Sequence, residues 1–244
     1  MLRGKKYKII KFINSFLTIL ILIIMIGTDV YSQENKKYKV CLYYGPGGEL
    51  APDVEYALQE LEISYFKLDD EAIKEGELKN CYILIIPGGY TLRLVRGLGK
   101  KGLEVIRKFV YNGGGYIGIC AGAYLAAERV EILMKPPGLG IIDIKNKRRR
   151  GIGTKKIFLK DHPITKGIGK ELTIRYQNGP DIIIRGEAEE VAYYKNGTTA
   201  IATASYGIGK VIIFSPHPEG SITQGVKPTT ETLQLFKNAI EFCQ

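Results

Sequence analysis

From residue 38 onward, short apolar runs alternate with stretches whose apolar positions repeat at helical spacing. Tyr38 to Tyr44 predicts a strand stopped by Gly45-Pro46-Gly47-Gly48, and Pro52 to Leu61 follows as a helix with Val54, Ala57, Leu58 and Leu61 along one face. Ile63 to Leu68 supplies a second strand, Asp69 to Leu78 a short acidic helix or loop, and Tyr82 to Ile86 a fully apolar run ended by Pro87-Gly88-Gly89. A run apolar on both faces implies a central parallel strand covered by helices on each side. A helix from about Lys101 to Tyr111 stops at Asn112-Gly113-Gly114-Gly115, and Tyr116 to Ile119 is another buried strand, ending at Cys120. Three or four successive βα units predict an α/β fold with a doubly wound, mostly parallel sheet, in which ligands bind beyond the carboxyl ends of the strands.

Val130 to Ile184 is less regular, with Pro136-Pro137-Gly138 and short apolar runs, and predicts strands and loops beside the main sheet. Val191 to Tyr194 and Thr199 to Thr203 predict a hairpin around Lys195-Asn196-Gly197. Val211 to Phe214 is the last buried strand, and Glu231 to Phe242 a closing amphipathic helix.

The first 32 residues follow a different logic. Arg3, Lys5, Lys6, Lys8 and Lys11 precede an apolar stretch from Phe16 to Ile26, and Val30-Tyr31-Ser32-Gln33 offers a cleavage site after Ser32. Eleven helical residues rise only about 16 Å, short for a bilayer, so a cleaved signal, an uncleaved N-terminal anchor and a buried helix all remain open. The first two place residues 38–244 outside the cytoplasm, secreted or held at the membrane through this segment. Without residues 1–32 the chain keeps 30 basic and 24 acidic residues, so the net charge falls from +10 to +6 and no nucleic-acid partner is expected. The densest basic cluster left, Lys145, Lys147, Arg148, Arg149 and Arg150, predicts a solvated loop. Four cysteines and two histidines make neither a disulfide framework nor a zinc site, so no metal and no cofactor is expected. Cys41, Cys81 and Cys243 lie in apolar segments and predict small buried thiols.

Cys120 stands apart because it follows a strand in Gly118-Ile119-Cys120-Ala121-Gly122. Glycine two before and two after a nucleophile permits a sharp strand-to-helix turn that exposes the side chain at a helix N-terminus. His217, in Pro216-His217-Pro218-Glu219 directly after the last strand, emerges on the same sheet edge, and Glu219 is placed to hold its tautomer. Backbone amides of Gly88, Gly89 and Ala121 are candidates for binding an oxyanion. His162, in the turn-like Asp161-His162-Pro163, is the weaker base.

The order Pro87-Gly88-Gly89, Gly118-Ile119-Cys120-Ala121-Gly122, His217-Pro218-Glu219 resembles the class I glutamine amidotransferase-like superfamily. Cys120-Ala121-Gly122-Ala123-Tyr124, Asp161-His162-Pro163-Ile164 and Tyr176-Gln177-Asn178-Gly179-Pro180 are similar to its biotin-protein ligase N-terminal domain family, which also occurs as a stand-alone domain. Over residues 38–242 the resemblance implies a flavodoxin-like α/β fold with Cys120 as nucleophile, His217 as base and Glu219 as orienter. It does not imply biotin ligation, since no ligase catalytic domain follows in this chain. Enzymes of this class usually carry Gln four residues after the cysteine, and Tyr124 stands there, which argues against glutaminase activity. Tyr90, Tyr124, Tyr176, Gln177 and Asn178 are candidates to line the pocket instead. Three functions compete: a cysteine hydrolase acting on a small-molecule or peptide amide, a binding module on the same fold, and an anion-binding surface at Lys145 to Arg150. Oligomeric state is not legible.

Overall fold

The structure is a computed structural model that describes residues 40–130 and 134–243. The expected signal or anchor lies outside the described residues. Among these, no helix is long and apolar enough to cross a membrane.

Strands β1 (Val40–Tyr43), β3 (Ile83–Ile86) and β4 (Gly115–Ile119) are buried at every residue. Such strands have no solvent face and must sit centrally in a parallel sheet. With β2 (Tyr65–Leu68) and β11 (Gly209–Phe214) they form the parallel block β2-β1-β3-β4-β11. Its connecting helices are α1 (Ala51–Glu60), α2 (Asp70–Lys74), α3 (Thr91–Tyr111) and α4 (Ala121–Ala126), and α5 (Thr230–Phe242) closes the chain. Local chemistry sets their starts. Asp69 accepts a bond from Ala72 N at 2.8 Å to cap α2, and Thr229 and Thr232 form a reciprocal capping box on α5.

Two elements differ from expectation. Helix α3 begins ten residues early, at Thr91, and bends at Gly99 (φ 56°), so Gly97 and Gly99 lie within a two-part helix. The expected hairpin, β9 (Glu189–Tyr194) and β10 (Thr199–Tyr206), pairs antiparallel beside β11, and the strands expected beside the sheet, β6 (Ile152–Leu159) and β7 (Glu171–Gln177), instead extend it antiparallel beyond β9. A short pair, β5 (Ile144–Lys147) and β8 (Asp181–Ile184), branches from β10.

The cysteine expectation is corrected. Cys41 and Cys81 are joined in a disulfide, with Cα atoms 5.8 Å apart. Cys41 pairs with Leu84 in the β1–β3 ladder, which brings it beside the residue leading into β3. Cys243 is a buried free thiol whose pKa burial pushes up to about 12, as an inert core cysteine requires.

Candidate active site

The parallel register aligns three strand ends. Ile86 pairs with Gly118, Ile119 pairs with Phe214, and Cys120 N donates to Phe214 O at 2.8 Å. Pro87-Gly88-Gly89, Cys120 and Ser215-Pro216-His217 therefore leave neighbouring strands on one edge. A side chain built on Gly88 would place Cβ 2.9 Å from His217 Cε1 and 3.5 Å from Cys120 Cβ. Thiol and imidazole thus flank the same glycine, although they lie 97 positions apart in the chain.

Cys120 has φ 50° and ψ −97°, a conformation an L-residue adopts only when its surroundings impose it. The flanking glycines permit the close packing that holds it there. A Cβ on Gly122 would meet the Ile86 carbonyl oxygen at 2.3 Å, so glycine lets α4 start directly against β3. The fully buried Tyr116 hydroxyl donates to Gly122 O at 2.8 Å and fixes the turn from beneath. Cys120 is 6% exposed, and its Sγ donates to the Gln177 carbonyl at 3.3 Å.

His217 Nδ1 lies 2.8 Å from Glu219 Oε1, and both residues are buried. A carboxylate at Nδ1 fixes the proton there and leaves Nε2 toward the thiol side, 3.4 Å from the same Gln177 carbonyl. Burial opposes charge on the imidazole, but the Glu219 carboxylate and the neighbouring Cys120 outweigh it and hold His217 well above the ordinary histidine range. Burial likewise raises the Glu219 carboxyl, with His217 pulling it back down. Behind Glu219, the buried Asp53 of α1 accepts from Thr223 N at 2.8 Å, Thr223 Oγ1 at 3.2 Å and Ser221 Oγ at 3.3 Å, pinning the turn that follows the His-Pro-Glu segment.

The remaining expected residues divide. Tyr124 lies one turn beyond Cys120, and its hydroxyl donates to Asn178 O at 3.4 Å. Tyr176 is buried and donates to Gly179 O at 2.7 Å. Gln177 meets the thiol through its backbone carbonyl, while its side chain accepts from Arg175 at 3.2 Å and Gln224 at 2.8 Å. Asn178 adopts φ 55°, and its side chain accepts from Gly151 N at 3.0 Å. Tyr90 turns its ring outward, 65% exposed and 5.2 Å from the Arg93 guanidinium, and its N–H bonds Gly47 O and Glu49. Gly89 (φ 148°) packs against that same Gly47 carbonyl, and Ala121 opens α4, where the first N–H groups have no acceptor within the helix. His162 caps a 3-10 turn, its Nδ1 accepting from Ile164 N at 3.1 Å, and burial lowers its pKa. Sequence reasoning did not find Asp53 or the Gln177 carbonyl. Asp53 reads as an ordinary first-turn acid, and a backbone carbonyl has no sequence signature.

The fold is that of glutamine amidotransferase domains. A solved glutamine amidotransferase superposes with a TM-score of 0.63 at 23% identity, over 84% of this chain and 98% of that one. A chain of the PurLQS structure from Thermotoga maritima does so with a TM-score of 0.62 at 20% identity, over 85% of this chain and 100% of that one. In sequence, residues 39–148 match the family described as "Biotin-protein ligase, N terminal". The pyridoxal 5'-phosphate synthase subunit PdxT of Koribacter versatilis is 31% identical over 149 residues, 60% of this chain and 72% of the relative. The imidazole glycerol phosphate synthase subunit hisH of Cyanidioschyzon merolae is 38% identical over 76 residues, 30% of this chain and 36% of the relative. The chain belongs to the class I glutamine amidotransferase-like superfamily.

Proposed function

We propose that the protein is an exported cysteine-dependent hydrolase of small-molecule or peptide amides. Cys120 passes its proton to His217 Nε2 and attacks the amide carbonyl, forming a C–S bond. His217 returns the proton to the departing amine as the C–N bond breaks; water, deprotonated by the same imidazole, then attacks the acyl carbon, the C–S bond breaks to release the acid, and His217 passes the proton back to Cys120. Glu219 holds the imidazole in the required tautomer and stabilises its charged form. Amides of Gly88, Gly89 and Ala121 take the oxyanion, each such donor typically worth about 3 to 4 kcal/mol of barrier. The observation that carries the reading is the meeting of Cys120, His217 and Gly88 at adjoining strand ends.

Tyr124 in the position usual for Gln directs the pocket away from free glutamine. The Cys41–Cys81 disulfide supports an oxidising compartment, in keeping with the basic and apolar character of residues 1–32. The test is release of amine or ammonia from a panel of amides by the full chain. Turnover of at least one amide that disappears in Cys120→Ala supports hydrolysis; turnover that survives the substitution overturns it.

A binding module remains the second reading, because the Gln177 carbonyl occupies hydrogen-bonding positions on both the thiol and the imidazole. On that reading Cys120→Ala leaves ligand affinity intact and no amide is consumed.

A further inference from the structure

Beyond Tyr124 and Tyr176, two cations converge on one pair of buried aromatic rings. Lys155 of β6 places Nζ 3.3 Å from the Tyr176 ring centroid and 5.2 Å from that of Tyr194. The Arg149 guanidinium carbon lies 5.9 Å and 5.6 Å from the same two rings. Arg149 is paired with Asp181 at 2.7 Å, whereas Lys155 has aromatic faces and no carboxylate within ion-pair distance among the described residues. The two open into a groove of about 550 Å³ that Lys156, Tyr194, Lys195 and Asn196 complete, with no acidic residue in its lining.

Two like charges on one partly dry aromatic platform repel each other, and a shared anion relieves that repulsion. Consistent with this, desolvation and the neighbouring Arg149 hold the Lys155 amine down to about 8. The groove connects to the nucleophile through two tyrosines. Arg149 N donates to the Tyr124 hydroxyl at 3.3 Å, and Tyr124 is one helical turn from Cys120. Tyr176 immediately precedes Gln177, whose carbonyl receives the Cys120 thiol.

We propose that the Arg149–Lys155 groove is an anion subsite that holds a carboxylate or phosphate at the far end of the amide substrate. Its orientation toward the scissile bond rests on the hydrolase reading above; binding of the anion does not. Arg149 presents a fork suited to two oxygens, and Lys155 a point charge above the rings.

The test is protection of Lys155 from an amine-acetylating reagent in the full chain at pH 8, read by peptide mass spectrometry. Succinate and inorganic phosphate are titrated separately at constant ionic strength, with the exposed Lys101 as internal reference. A fivefold or greater slowing at Lys155 and none at Lys101 is expected, and the more effective anion identifies the group preferred. The same protection is expected in Cys120→Ala, so protection of Lys155 in a wild-type chain that hydrolyses no amide counts against the hydrolase reading alone, and hydrolysis without protection counts against the anion subsite alone. Arg149→Lys should weaken protection several-fold without removing it, and Lys155→Met should raise KM for an anionic amide about tenfold with kcat within twofold. Equal effects of both anions on Lys155 and Lys101, or protection only by vesicles of anionic phospholipid, would overturn the proposal.

Discussion

Removing the Cys41–Cys81 bridge tests whether the register of the parallel block is as described. The bridge closes a loop spanning 40 positions, and the chain-entropy relation for a loop of that size gives about 4 kcal/mol of stabilisation at 25 °C. Residual structure in the unfolded chain reduces this, so about 2–4 kcal/mol is expected. The Cα separation of 5.8 Å lies in the usual range for disulfides, so the backbone need not move to form the bond. With a urea dependence of roughly 2 kcal/mol per molar, reduction should lower the unfolding midpoint by about 1–2 M. Circular dichroism with and without a phosphine reductant measures the shift. Cys41→Ala combined with Cys81→Ala should fall at or below the reduced wild type, since it also removes two buried sulfur atoms. Alkylation of denatured, unreduced protein should modify two cysteines, Cys120 and Cys243. Four modified cysteines, or a midpoint that ignores reductant, would refute the reasoning.

Three further outcomes follow from the site. Gly122→Ala puts a methyl carbon 2.3 Å from a backbone oxygen of β3 and should cost about 1–3 kcal/mol in a urea titration while displacing the Cys120 turn; an unchanged midpoint contradicts the close approach. Glu219→Gln keeps the shape beside His217 but removes the charge, so turnover of any accepted amide should fall about 10²–10⁴-fold with little change in KM; equal loss in both parameters would point to misfolding. Because burial is outweighed by Glu219 and Cys120, His217 binds its proton more tightly folded than unfolded. Its contribution to stability is therefore full below about pH 6.5 and lost as pH rises through the raised folded value. The stability gap between wild type and His217→Ala should shrink between pH 6 and pH 9, and a widening gap would reverse the sign.

The parallel block was legible because β1, β3 and β4 are apolar on both faces, a pattern only a covered strand tolerates. The sheet edge carrying Gly88, Cys120 and His217 followed from it, since each group sits one to three residues past such a strand. The antiparallel extension was not legible in the same way. Strand β6 alternates exposed Ile152, Thr154 and Lys156 with half-buried Gly153 and Lys155, and its partners are fixed by long-range pairing. The disulfide was missed for a related reason: Cys41 and Cys81 meet only through the β1–β3 register, which spacing does not reveal. The first half of α3 was hidden by Gly97 and Gly99, whose usual reading as a loop is overridden here by burial of Leu94, Val95 and Leu98. The tyrosines were found by neighbourhood, but their roles differ: Tyr124 and Tyr176 build the wall between the thiol and the Arg149–Lys155 groove, and Tyr90 faces solvent.

The most direct measurement is the rate at which iodoacetamide modifies each free cysteine of the folded chain at pH 6. Cys120, beside a charged imidazole, should react at least tenfold faster than the same cysteine in urea-unfolded protein, while Cys243 stays inert. His217→Ala should return Cys120 to the unfolded rate. A Cys120 no more reactive than its unfolded counterpart, or one indifferent to the loss of His217, would contradict the account.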